Sequence, residues 1–155
     1  MLIILEGVDG VGKTTLAELL AQLHNAEVVH ATRETPNDWD YFFGILDSSY
    51  GRNIIADRSF WGQFAYQKKE ERKLTREELH MLEGAVMHSG GVIIYVTANK
   101  EDIEARLASR GEVPSRPIKK LLKKYERLVS EAACKVITYN TSTGEVSIND
   151  HSIQR

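Results

Sequence analysis

The chain has 155 residues, 42% of them hydrophobic, and its 20 Lys and Arg against 22 Asp and Glu leave a net charge of −2. Those values support one compact domain over residues 1–155 with a real core, exclude global disorder, and supply no basic field for nucleic acid, so any polyanion site must be local. Cys134 is the only cysteine and the apolar runs Leu2–Leu5 and Val92–Val96 are short, which excludes an intrachain disulfide and a bilayer-spanning helix and fits a reducing cytoplasmic setting without a membrane partner; with no basic residues before the first apolar run, no signal peptide is expected.

Taken in chain order, Leu2–Leu5 reads as a buried strand, Gly7–Gly12 as a glycine-rich turn, and Lys13–His24 as a helix with Leu16, Leu19, Leu20 and Leu23 at helical spacing. Ala26–His30 is a second short strand, and Trp39, Phe42, Phe43 and Leu46 form a helical stripe after Pro36. A buried strand over Asn53–Ala56 ends at Asp57, and helices follow over Gly62–Lys69 and Thr75–His88. Thr75 with Glu78 three residues on is a capping box, and Gly90-Gly91 stops that helix. Val92–Val96 is the clearest strand, Glu101–Ser109 and Ile118–Ala133 are helices, and Val136–Tyr139 is expected as the last strand, with no recognisable chemistry after Asn140. Strands alternating with helices predict an α/β fold with a mostly parallel sheet covered on both faces and ligands at the carboxyl ends of the strands.

Gly7-Val8-Asp9-Gly10-Val11-Gly12-Lys13-Thr14 fits G-x-x-x-x-G-K-[ST] between a predicted strand and a predicted helix. That context makes the expected architecture a three-layer P-loop NTPase-type fold. Glycines let successive N–H groups turn inward toward phosphate oxygens, and the following helix adds the positive end of its dipole. ATP is therefore expected on Gly7, Gly10, Val11, Gly12, Lys13, Thr14 and Thr15. Lys13 would bridge the β- and γ-phosphates, and Thr14 with Asp57 would manage Mg²⁺.

Two classes of nucleotide user compete: a kinase with a small-molecule acceptor and a GTPase-type switch. Asn99-Lys100-Glu101-Asp102 matches a guanine-reading pattern, but Asp57-Arg58-Ser59-Phe60 has phenylalanine where a switch needs glycine. Asn99 as an N-cap, with Glu101 and Asp102 in a first helical turn, accounts for the same residues. Asp57-Arg58 puts a carboxylate and a guanidinium together at a strand end, which suits phosphoryl transfer. Arg106, Arg110 and Arg116, with Gly111, Pro114 and Pro117, read as a basic lid over about 106–117 that would exclude water and bring charge to the transferred group. Lys13, Arg58, Arg106 and Arg110 are the expected catalytic cations.

The ordered set of motifs resembles the thymidylate kinases. Glu6 through Thr15 looks like their P-loop, Thr32-Arg33-Glu34 like the segment after their second strand, Asp57-Arg58 with Ala65-Tyr66-Gln67 like their aspartate-arginine stretch, and Ile94-Tyr95-Val96 with Glu101, Arg106, Arg110, Gly111 and Glu112 like their fourth strand and lid. The resemblance implies transfer from Mg-ATP to a deoxynucleoside monophosphate, dTMP favoured. It implies that Asp9 approaches the sugar 3′-hydroxyl, Arg58 grips the acceptor phosphate, Gln63 faces the base and Tyr66 packs on the sugar, with Arg33 and Glu34 also on the acceptor side.

The stretch between Arg33 and Asp57 is shorter than in ordinary thymidylate kinases, and the family's strand-end aspartate is Thr97 here, so the base is left open. Glu34, Pro36 and Trp39 with Asp57-Arg58-Ser59 also look like deoxynucleoside kinases, in which Glu34 would act as base toward a sugar or modified-base hydroxyl. A homodimer is left open. The histidines show no metal-ligand spacing, Met81 and Met87 are expected to fill helix packing, and Lys119, Lys120, Lys123 and Lys124 form the solvated face of an amphipathic helix.

Overall fold

The computed structural model describes residues 1–31, 39–68, 74–114 and 116–149. Its elements run β1 (Leu2–Glu6), α1 (Lys13–His24), β2 (Glu27–His30), α2 (Trp39–Ser48), β3 (Ile54–Asp57), α3 (Phe60–Tyr66), α4 (Arg76–His88), β4 (Val92–Thr97), α5 (Lys100–Ser109), α6 (Ile118–Glu131), β5 (Val136–Asn140) and β6 (Val146–Asn149). The strands form one sheet in the order β2-β3-β1-β4-β5-β6, parallel except for β6, which runs antiparallel to β5.

β1 and β3 are buried at every residue. Parallel strands covered on both faces read as unbroken apolar runs for this reason. β1 lies between β3 and β4, so successive connections leave it in opposite directions and a crevice opens at its carboxyl end. Register sets the level of that crevice: Leu5 pairs with Asp57, His30 with Asp57, and Glu6 with Tyr95. The core joins the sheet to the helices through stacked Tyr95 and Tyr125 rings, 5.4 Å apart, and an edge-on Phe42–Phe60 contact at 5.8 Å.

Several expectations are met and others corrected. α1 begins and ends where predicted, and the capping box of α4 forms in both directions between Thr75 and Glu78. Lys119, Lys120 and Lys123 are on the exposed face of α6, away from buried Leu121, Tyr125 and Leu128, whereas Lys124 on its flank donates to the Ala65 carbonyl of α3 at 3.1 Å. α3 starts at Phe60, ahead of the expected Gly62. Val136–Tyr139 is not the last strand, because β6 follows it through a turn in which Asn140 Oδ1 accepts the Ser142 and Thr143 amides. β6 is an edge strand whose Val146-Ser147-Ile148-Asn149 alternation is only four residues long and whose apolar residues are exposed. Leu19, Leu23, Met81 and Phe43 are also exposed, so the stripes predicted around them are wider than the faces that pack. Pro36, Lys69 and the side chain of Trp39 lie outside the described residues.

Glu83 of α4 ties that helix to the end of α6, its Oε2 accepting the Ala133 N–H at 3.0 Å. Burial pushes its carboxyl from the ordinary 4.5 up to about 7, against the opposing Ala133 N–H. A carboxyl raised on folding stabilises fully below its unfolded pKa, and that contribution is lost as pH rises through the folded value. Glu83→Gln should therefore flatten the fall in Tm between about pH 4.5 and 7. A profile as steep as that of the unmodified protein contradicts this account of Glu83.

Candidate active site

The loop after β1 turns sharply because Gly7 has φ +152° and passes so close to β4 that a Cβ would lie 2.2 Å from the Val96 carbonyl oxygen. No side chain fits there. Lys13, the first residue of α1, folds back beneath the loop and donates to the Gly7 and Val8 carbonyls at 2.9 and 2.7 Å. Burial pushes its ammonium down to about 8; the Arg110 charge acts in the same direction, and Asp57 and Glu6 oppose it. The N-cap of α1 is Gly12, with no side-chain cap bond and no acid in the first turn. Its leading amides therefore keep their donors for an anion.

Asp57 ends β3 beside this loop and is buried. Its Oδ2 accepts the Thr14 hydroxyl at 3.2 Å and lies 3.1 Å from His30 Nδ1, while its Oδ1 is buried without a partner. A hydroxyl beside a carboxylate with one orphaned oxygen is a set of hard oxygen donors that fits Mg²⁺. Arg58 follows with φ +73°, a left-handed backbone that a non-glycine residue holds only where its surroundings impose it. Its guanidinium pairs with Asp9 of the loop, both side chains remaining partly exposed. Tyr66 of α3 is close enough to Arg58, Glu6 and Arg116 for their charges to act on its hydroxyl, and burial pushes that hydroxyl's pKa up. Gln63 shares a helix face with Tyr66, three residues earlier.

No protein-family model matches the chain. It is similar to the thymidylate kinase of Campylobacter hominis, with 29% identity covering 72% of this chain and 73% of the relative. It is also similar to the thymidylate kinase of Campylobacter curvus, with 26% identity covering 81% and 82%. Among solved structures, the YorR protein of Bacillus subtilis, crystallised in complex with phosphorylated GDP, superposes with a TM-score of 0.73 at 26% identity, over 94% of this chain and 87% of that one. The chain is a P-loop kinase similar to the thymidylate kinases. The three-layer α/β architecture expected from the sequence is that of these proteins.

Within this kinase, the loop, Lys13, Thr14, Asp57, Arg58 and Asp9 come together at the crevice, with Gln63 and Tyr66 on the neighbouring helix. Val11 is fully buried, and Thr15 is exposed in the first turn of α1. Arg33 and Glu34 lie outside the described residues. Arg110 lies on the exposed turn after α5, 3.6 Å from Glu112, and Arg116 donates to the Tyr66 carbonyl at 3.0 Å. Asn99 occupies the N-cap position of α5, as the helix-cap reading required, although its side chain makes no cap bond.

Two partners were not foreseen. His30 meets Asp57 because β2 and β3 are adjacent and parallel, a pairing no local pattern encodes. Thr141, in the turn expected to be inert, donates to the Val11 carbonyl at 2.9 Å and accepts from Arg106, which also reaches the Gly10 carbonyl at 3.2 Å. Arg106 thus braces the outer side of the loop. Thr141→Val keeps the side-chain shape but removes the brace's shared hydroxyl, and should weaken nucleotide binding about three- to tenfold by titration calorimetry. Unchanged affinity contradicts the bracing role.

Proposed function

We propose that the protein transfers the γ-phosphoryl group of ATP, bound with Mg²⁺, to the phosphate of a deoxynucleoside monophosphate, with dTMP the favoured acceptor. The observation that carries this reading is a pair of cationic grips on adjacent strands: Lys13 inside the loop after β1, and Arg58 at the turn after β3, where Leu5 and Asp57 are paired in register. A switch needs only the first grip. The second suits a recipient that brings its own negative charge. The names of the two Campylobacter relatives favour thymidylate as that recipient. The YorR complex with phosphorylated GDP keeps a guanine nucleotide in the comparison.

The acceptor phosphate is already an anionic nucleophile at neutral pH, so it needs positioning and positive charge more than a base. One of its oxygens attacks the γ-phosphorus in line, the bond to the β,γ-bridging oxygen breaks, and ADP leaves. Lys13 would exchange its two carbonyl partners for β- and γ-phosphate oxygens, and the amides at the start of α1 would hold the remaining donor oxygens. Arg58 would exchange Asp9 for the acceptor phosphate, freeing Asp9 toward the acceptor sugar. Arg110, whose charge already acts on Lys13, is the lid arginine in reach of the transferred group. Thr14 Oγ1 and Asp57 Oδ1 would hold Mg²⁺, which when bound neutralises charge on the phosphate oxygens.

The test is turnover of γ-labelled ATP with Mg²⁺ against the deoxynucleoside monophosphates, GDP and the free nucleosides. Label should pass to dTMP fastest, giving dTDP, and Lys13→Ala should lower that rate by about a thousandfold or more. Labelling of nucleosides alone, or full turnover in the Lys13 variant, contradicts the assignment.

A further inference from the structure

Glu6 is the last residue of β1 and immediately precedes the loop around Lys13; only 1% of it is exposed. Its carboxylate reaches across to the start of α3. Oε1 accepts the Ser59 N–H at 2.8 Å, while Oε2 lies against Gly62, where an added Cβ would come within 3.3 Å of it. Ser59 is the N-cap of α3 and makes no side-chain cap bond of its own, so this helix is capped from a different strand. The preceding amide, that of Arg58, donates to the Leu5 carbonyl at 2.9 Å. Two consecutive residues of β1 therefore pin two consecutive amides of the turn that holds Arg58 in its left-handed conformation.

Stability alone gives no reason for a carboxyl here. Apart from the Gly62 amide that faces it, Glu6 Oε2 is buried without a hydrogen-bond partner, and such a group costs more to bury than an apolar side chain of similar size. The charged and titratable groups around it are Lys13, Arg58, Tyr66 and Tyr125, and two of these cations belong to the donor and acceptor grips. We propose that Glu6 is a positioning residue: it locks the Arg58 turn and α3, with its acceptor-side Gln63 and Tyr66, in register with the phosphate loop. The recipient is thereby held in line with the donor. This rests on the kinase reading above and adds to it a link between the two substrate sites.

Glu6→Leu and Glu6→Gln in the full chain test the link. With Glu6→Leu, the KM for dTMP should rise or kcat should fall at least about tenfold, while ATP affinity stays within about twofold and Tm does not fall. Amide exchange at Ser59 should accelerate about tenfold or more, with α4 amides unchanged. Glu6→Gln keeps an oxygen for the Ser59 N–H and should recover most of the loss. If Glu6→Leu does not fold, Gly62→Ala, whose methyl presses on Oε2, is read in the same way. Unchanged acceptor kinetics, an equal loss of ATP affinity, or a Gln variant as impaired as the Leu variant overturns the proposal. If the unmodified protein labels no monophosphate, the kinase reading falls, and Ser59 exchange alone judges Glu6: unaltered protection in Glu6→Leu overturns its positioning role.

Discussion

A lysine ammonium buried beneath a curl of peptide dipoles is the interaction on which the rest of this molecule depends. Lys13 is 5% exposed, held by two carbonyls of the loop it supports, and pushed down to about 8 by that burial. Removing an ammonium from water is costly unless charge and hydrogen bonds replace its hydration. Asp57, also buried and the foremost of the acidic neighbours acting on Lys13, supplies that charge from the end of the adjacent strand. The cost of desolvation is met during folding, so the field that a phosphate chain needs is in place before any nucleotide arrives.

The sheet makes this arrangement possible. β1 is central and parallel to both neighbours, so its loop emerges where β3 and β4 also end. Gly7 can then pass against Val96, Asp57 can face Thr14, and Arg58 can turn back toward Asp9. The same geometry separates roles among the arginines. Arg58 faces the crevice in a strained turn, Arg106 braces the loop from outside with Thr141, and Arg116 fastens the start of α6 to the end of α3. Three residues of like charge thus perform three tasks, set by what each guanidinium touches.

The sequence made legible whatever is written in contiguous residues. The phosphate loop, the buried strands and the Thr75–Glu78 capping box depend on neighbours a few positions apart, and each is present. What escaped depends on strand order. His30 beside Asp57, Thr141 against Val11, and Glu6 at the head of α3 join residues 27, 130 and 53 positions apart, respectively. Their side chains carry no periodicity that marks them. β6 escaped for a different reason: its Val146-Ser147-Ile148-Asn149 alternation is only four residues long, and as an edge strand it leaves both apolar residues in water. Helical stripes over-predicted burial at Leu19 and Met81, because spacing defines a face but not how much of it another element covers.

The central claim is that donor and recipient phosphates are gripped simultaneously by Lys13 and Arg58 in one crevice. Titration calorimetry with a bisubstrate analogue, adenosine and thymidine joined through five phosphates, tests it most directly. The account predicts a single analogue bound per chain, at least about a hundredfold tighter than ATP or dTMP alone, with most of that gain lost in either Lys13→Ala or Arg58→Ala. An analogue that binds no tighter than ATP, or whose affinity ignores Arg58, contradicts it.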